Sequence, residues 1–214
     1  MNKVQLPVFT SLLIGVTAGA QQFQDDFNRK STPFVETGKT QQIGKNWECS
    51  DAGVWRISNN QVMSKTVEGL PKPVLYNKGI VTDGGFKLSG IVTLNSDHVS
   101  AFAGLVTHYQ NPTDQYIFRF NGRGSVQLLR KNGPDTVFSK PEAFKQNLKT
   151  PYKMTLISKK PHVFELSIED TTTGTVVFSQ TVTDPKKTYS SGFGGFFTTA
   201  GAVQFDDISY EKLK

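Results

Sequence analysis

The feature that most constrains this chain is a repeating local pattern. Short runs of β-branched and aromatic residues end in clusters of Gly, Asn, Asp or Pro, and no stretch carries the 3.6-residue periodicity of a long amphipathic helix. Val54 to Ile57, Asn59-Asn60 and Gln61 to Lys65 read as a hairpin. Phe86 to Leu94 and Val99 to Tyr109 flank Asn95-Ser96-Asp97, and Asn111 to Asp114 turns the chain into Gln115 to Phe120. Asn121 to Gly124 leads into Ser125 to Lys131, after which Asn132-Gly133 closes a further hairpin. Tyr152 to Ser158, Val163 to Glu169, Thr175 to Thr181, Gly192 to Thr198 and Val203 to Tyr210 continue the series. A short helix between Pro141 and Gln146 is the only helical expectation. Roughly a dozen strands without a linker suit an all-β, two-sheet antiparallel sandwich better than one open sheet.

The first twenty residues read as a targeting segment rather than as part of this fold. Lys3 precedes a mostly apolar run from Val8 to Val16, and Ala18-Gly19-Ala20 supplies the small-x-small pattern of a cleavage site before Gln21. The run is too short to span a bilayer as a helix. The expectation is a secreted protein, extracellular or periplasmic, in which residues 21–214 form a single domain. That length supports a core without covalent staples, and the single cysteine, Cys49, excludes an intramolecular disulfide. Nothing near Cys49 in sequence lowers a thiol pKa, so it reads as a buried, inert side chain. The net charge of +6 is scattered, its densest groups being Lys159-Lys160 and Lys186-Lys187 beside prolines. A nucleic-acid surface needs a wider basic stripe.

Alternation along Gln115 to Asn121 assigns faces. Tyr116, Phe118 and Phe120 point one way and read as core, while Gln115, Ile117, Arg119 and Asn121 point the other. The outward set, with a central arginine, has the composition of a sugar-binding surface and equally that of an ordinary solvated face. Trp47 and Trp55 read as core, with a sugar platform as the alternative.

Several segments together resemble the concanavalin A-like, laminin-G-like jelly-roll superfamily, in the bacterial exported branch of levanase-type binding modules and 3-keto-disaccharide hydrolase-like domains. They are Phe23-Gln24-Asp25-Asp26-Phe27 with Trp47 downstream, Gly53 to Ile57 leading to Asn60-Gln61-Val62, and Gly104 to Tyr109 with Asp114 to Phe120. Gly192 to Phe197 and Val203 to Ile208 resemble the closing strands. The resemblance spans nearly all of residues 21–214 and implies the jelly-roll sandwich, a fold that hosts lectins, binding modules, hydrolases and lyases.

If Phe23 to Phe27 and Phe205 to Tyr210 are adjacent strands, Asp25 or Asp26 approaches Asp206 or Asp207. Asp25 and Asp206 are then the candidate ligands of a structural calcium ion, whose hard-oxygen preference clustered carboxylates satisfy. No strand carries the spaced carboxylates of laminarinase-type hydrolysis; Glu165 and Glu169 read as ordinary strand decoration. His98, His108 and His162 lack metal-ligand spacing. His108 with Tyr116 and Arg119 could serve a polysaccharide lyase, provided that alternation does not separate them. The leading expectation is a lectin-like module that binds a poly- or oligosaccharide through His108, Tyr109, Gln115, Arg119 and Asn121. A glycoside hydrolase or polysaccharide lyase, and a structural or adhesive module without a small ligand, are the alternatives.

Overall fold

The computed structural model describes residues 21–35, 43–51, 53–65, 73–132, 135–137, 142–199 and 203–214. The expected targeting segment and the Asn132-Gly133 turn at its Gly133 lie outside them. The described residues form sixteen strands: β1 (Gln22–Asp25), β2 (Trp47–Cys49), β3 (Trp55–Ser58), β4 (Gln61–Ser64), β5 (Val74–Val81), β6 (Phe86–Leu94), β7 (Phe102–Asn111), β8 (Asp114–Asn121), β9 (Ser125–Asn132), β10 (Asp135–Val137), β11 (Glu142–Ala143), β12 (Pro151–Lys160), β13 (Val163–Asp170), β14 (Thr175–Thr183), β15 (Phe193–Thr198) and β16 (Val203–Lys212).

Two antiparallel sheets stack face to face. Sheet A runs β14-β13-β12-β6-β16-β4-β3, with β1 also on β16. Sheet B runs β10-β9-β8-β7-β15-β5-β2, with β11 also on β9. Local chemistry sets the hairpins: Asn59 and Asn60 both take positive φ, as the tight turn between Ser58 and Gln61 requires. The terminal strands pair as expected, Phe23 opposite Tyr210 and Asp25 opposite Ile208. The expected helix at 141–146 is corrected. Glu142 and Ala143 pair with β9 instead, because Phe144 packs its ring on Phe120 and Tyr152 while its N–H donates to Gly124 O.

The inner faces supply the core. Trp47 stacks on Phe196 with ring centroids 6.2 Å apart, and Phe27 and Phe205 complete that layer. Both tryptophans are fully buried, so neither is a platform for a ligand. Cys49 packs partly buried against this core, and burial pushes its thiol up to about 11, which leaves it a poor nucleophile.

One edge of the core is polar. Asp184 on the loop after β14 is fully buried and pairs with Arg130 of β9 at 2.7 Å. The Tyr116 hydroxyl donates to the same carboxylate at 2.6 Å, and the Lys186 and Thr188 amides donate to it as well. Burial alone would raise the Asp184 pKa. These donors outweigh it and hold the group ionised. The loop that carries Tyr189 is thereby tied to β8 and β9.

Candidate functional site

The outer face of sheet B differs from an ordinary solvated sheet face. One row across it reads Glu48, Tyr76, Gly195, Val106, Ile117 and Leu129 on β2, β5, β15, β7, β8 and β9. The next row reads Val74, Phe197, Gly104, Arg119 and Gln127. Val74, Val106, Ile117, Leu129 and Phe197 form a second apolar cluster, separate from the main core, with Tyr109 inside it and Tyr76, Phe102 and Phe193 packed around it.

The aromatic part of this cluster is built across three strands. β15 lies between β5 and β7, yet the rings of Tyr76 and Tyr109 meet across it with centroids 4.4 Å apart. Tyr76 lies opposite Gly195 and Tyr109 opposite Phe193 on that strand, so the two rings meet diagonally across it. Phe193 stacks on Tyr76 at 5.7 Å. The result is a three-ring platform in which Tyr109 is buried while Tyr76 and Phe193 are partly buried.

Charged and polar groups border the platform. The Tyr76 hydroxyl donates to Glu48 Oε2 at 2.7 Å, and Lys78 Nζ lies 2.5 Å from Glu48 Oε1. Lys78 and Tyr76 hold the Glu48 carboxyl below its ordinary range, so it is an anion and a hydrogen-bond acceptor at neutral pH. Burial and the Glu48 partner raise the Tyr76 phenol, and burial pushes Tyr109 up to about 12. Both hydroxyls therefore remain donors. In the neighbouring row the Arg119 guanidinium sits 3.9 Å above the Phe102 ring and donates to Gln127 Oε1 at 3.1 Å.

The five residues expected to bind sugar do not form one patch. Tyr109 and Arg119 reach the outer face of sheet B. Gln115 and Asn121 lie on the same side of β8 but serve turns: Gln115 Nε2 donates to Pro112 O, and Asn121 Oδ1 accepts from the Arg123 and Ser125 amides. His108 is turned into the core between Phe86, Tyr116 and Phe164. It sits at a bulge of β7 with φ +51°, and burial lowers its pKa to about 4. A lyase trio of His108, Tyr116 and Arg119 does not assemble, since Arg119 is on the opposite face from the other two.

Asp25 and Asp206 are each engaged within the protein. Asp25 Oδ1 accepts from Phe27 N and pairs with Arg29, and Oδ2 accepts from Trp47 Nε1 at 2.8 Å. Asp206 accepts from Gln61 Nε2 and from the Asp207 amide. The Arg29 cation already offsets the charge of Asp25. Among the described residues no group of three or more His, Cys, Asp or Glu side chains is placed to hold a metal ion. Burial, with the negative charges of Asp207 and Asp26, raises the Asp206 pKa.

Sequence reasoning missed Tyr76, Phe193, Glu48, Lys78 and Gln127. The available signal was alternation within Phe193-Gly194-Gly195-Phe196-Phe197, which places Phe193, Gly195 and Phe197 on one face.

Two stacked antiparallel sheets of this order, with both termini in one sheet, define a β-sandwich jelly roll. Solved structures share it at low sequence identity. The carbohydrate-binding module CBM66 from Bacillus subtilis superposes with a TM-score of 0.62 at 13% identity, covering 78% of this chain and 96% of that one. Lectin II from Ulex europaeus gives 0.60 at 10% identity, covering 89% of this chain and 97% of the lectin. A xylan beta-1,4-xylosidase from Bacillus halodurans gives 0.62 at 14% identity over 88% of this chain, which corresponds to 39% of the xylosidase. No protein-family model matches the sequence, and no curated protein does. At these identities the likeness is one of fold.

Proposed function

We propose that this protein is an exported carbohydrate-binding module whose ligand lies on the outer face of sheet B. The observation that carries the reading is the platform of Tyr76, Phe193 and Tyr109 beside the Tyr76–Glu48–Lys78 hydrogen-bonded set. A sugar ring presents an apolar C–H face and a rim of hydroxyls. Partly buried aromatic rings suit the first, and an adjacent anion and cation suit the second. Gln127, which accepts from the buried Arg119, extends the polar rim along the next row. The lectin and binding module of similar fold, as their names describe them, support a sugar ligand.

Binding is favoured over hydrolysis by the state of Glu48. A glycosidase needs one carboxyl that stays protonated to act as general acid, with a second beside it. Lys78 and Tyr76 pull Glu48 in the opposite direction. The test is a glycan-array and polysaccharide-pulldown screen with product analysis on each hit. Binding without new products, weakened by Tyr76→Ala, is the expected result; release of shortened or unsaturated sugars would show an enzyme.

A further inference from the structure

We infer that β14 is a self-association edge, pairing antiparallel with β14 of a second copy of this chain about a two-fold axis at Gln180. The sheets end on four strands, and three of them are short: β3 has four residues, and β2 and β10 have three each. Short edges give a foreign strand little to grip. The fourth, β14, is nine residues long, and its sequence Thr-Val-Val-Phe-Ser-Gln-Thr-Val-Thr contains no charge and no proline.

Among the described residues, the one side chain bonded to the part that would pair is Glu142, whose Oε1 accepts from Gln180 Nε2 at 3.1 Å on the inner side. A bulge displaces β14 at Val177, but Phe178 to Thr183 runs in unbroken register with β13. Among the described residues no strand pairs with the other side of β14. Ser179, Thr181 and Thr183 are exposed, and Val176 is 57% exposed, the most open large apolar side chain described.

The strand is self-complementary in a single register. With Gln180 opposite its own copy, Phe178 faces Val182 on the inner side and Ser179 faces Thr181 on the outer side. Phe178 and Val182 are both core residues, so the pair extends the apolar layer between the sheets across the junction. Ser and Thr opposite one another are a favourable cross-strand pair. The strand itself carries no charge, so its own side chains meet no like-charge repulsion from their image; the nearest carboxylate is Glu142, which Gln180 holds on the inner side. The second copy is thus the partner that this edge fits, and the two A sheets become one continuous sheet.

The test is the mass of the purified protein by analytical ultracentrifugation across a concentration series, with the unaltered edge and two designed ones. The unaltered protein is expected to be dimeric. The double variant Ser179→Lys, Thr181→Lys places lysine opposite lysine twice and is expected to weaken the dimer at least tenfold. Ser179→Lys with Thr181→Glu places lysine opposite glutamate in the same register and is expected to restore it. Both positions altered, 179 and 181, are on the exposed outer side, so unchanged circular dichroism and thermal midpoint will confirm the fold. In a Cys49→Ser background, Gln180→Cys is expected to cross-link two copies on oxidation, since opposed residues lie about 5 Å apart, within disulfide reach. Thr175→Cys, roughly 30 Å from its image in this register, is expected not to cross-link. A protein that stays monomeric at every concentration, or a dimer that the lysine pair leaves intact, would overturn the inference.

Discussion

Tyr76 and Tyr109 pack ring against ring across the strand that separates them, with centroids 4.4 Å apart, Tyr76 lying opposite Gly195 and Tyr109 opposite Phe193. The contact assembles a surface from β5, β7 and β15, which are remote from one another in sequence. Tyr109 supplies a buried floor, and Tyr76 and Phe193 present their partly buried rings above it.

Removing either of these two rings should therefore cost affinity more than stability. Tyr76→Ala and Phe193→Ala are each expected to weaken glycan binding by about 1–2 kcal/mol, roughly 5- to 30-fold. Tyr76→Phe keeps the ring and loses the donor to Glu48, so a smaller loss is expected. Isothermal titration alongside thermal melting separates the two effects.

His108 makes stability depend on pH in a defined window. Its folded pKa, about 4, lies below its ordinary value of 6.5 because the ring is buried. The unfolded chain thus binds a proton between these values while the folded chain does not, and stability falls as pH drops from about 6.5 to about 4. The full loss is about 3 kcal/mol. His108→Asn tolerates the positive φ at this bulge and removes the titration. Urea midpoints measured from pH 7 to pH 4 should fall less steeply in that variant.

The Asp184–Arg130 pair should behave as a buried ion pair. Arg130→Met leaves the Asp184 carboxylate without its cation in the core and is expected to destabilise by about 3–5 kcal/mol. Adding Asp184→Asn to that variant removes the stranded charge and should recover part of the loss. A urea-denaturation double-mutant cycle measures the recovery, and strict additivity would contradict it.

Asp206 should show the opposite sign. Burial and the charges of Asp207 and Asp26 raise its folded pKa, so the ionised form is disfavoured in the folded chain. A folded pKa above the unfolded one makes this site's contribution improve as pH falls and worsen as pH rises. Asp206→Asn is expected to raise the thermal midpoint at pH 7 and to have less effect near pH 4.

Much of the fold was legible because strands announce themselves locally. Tyr116, Phe118 and Phe120 alternate against Gln115, Ile117, Arg119 and Asn121, and each set lies on the side that the period of two assigns it. Asn59-Asn60 could only be a tight turn. The site was less legible for three physical reasons. Strict alternation from Val106 would turn His108 to the outer face, but a bulge inserts one residue and sends both Thr107 and His108 inward. β5 carries Asn77-Lys78-Gly79, which has turn chemistry, yet the chain stays in the sheet because Asn77 bridges Gly79 N and Lys45 O from within the strand. The platform residue Tyr76 sits just before that interruption. Asp25 shows a third limit, since its engagement by Arg29 and Trp47 depends on loop geometry that no spacing encodes.

The most direct test of the central claim is glycan binding by the unaltered protein compared with Tyr76→Ala and Phe193→Ala, with product analysis on every ligand bound. The account predicts binding to at least one poly- or oligosaccharide without new products, lost or strongly weakened in both variants while their folds persist. Absence of glycan binding, or binding that both variants retain in full, would contradict it.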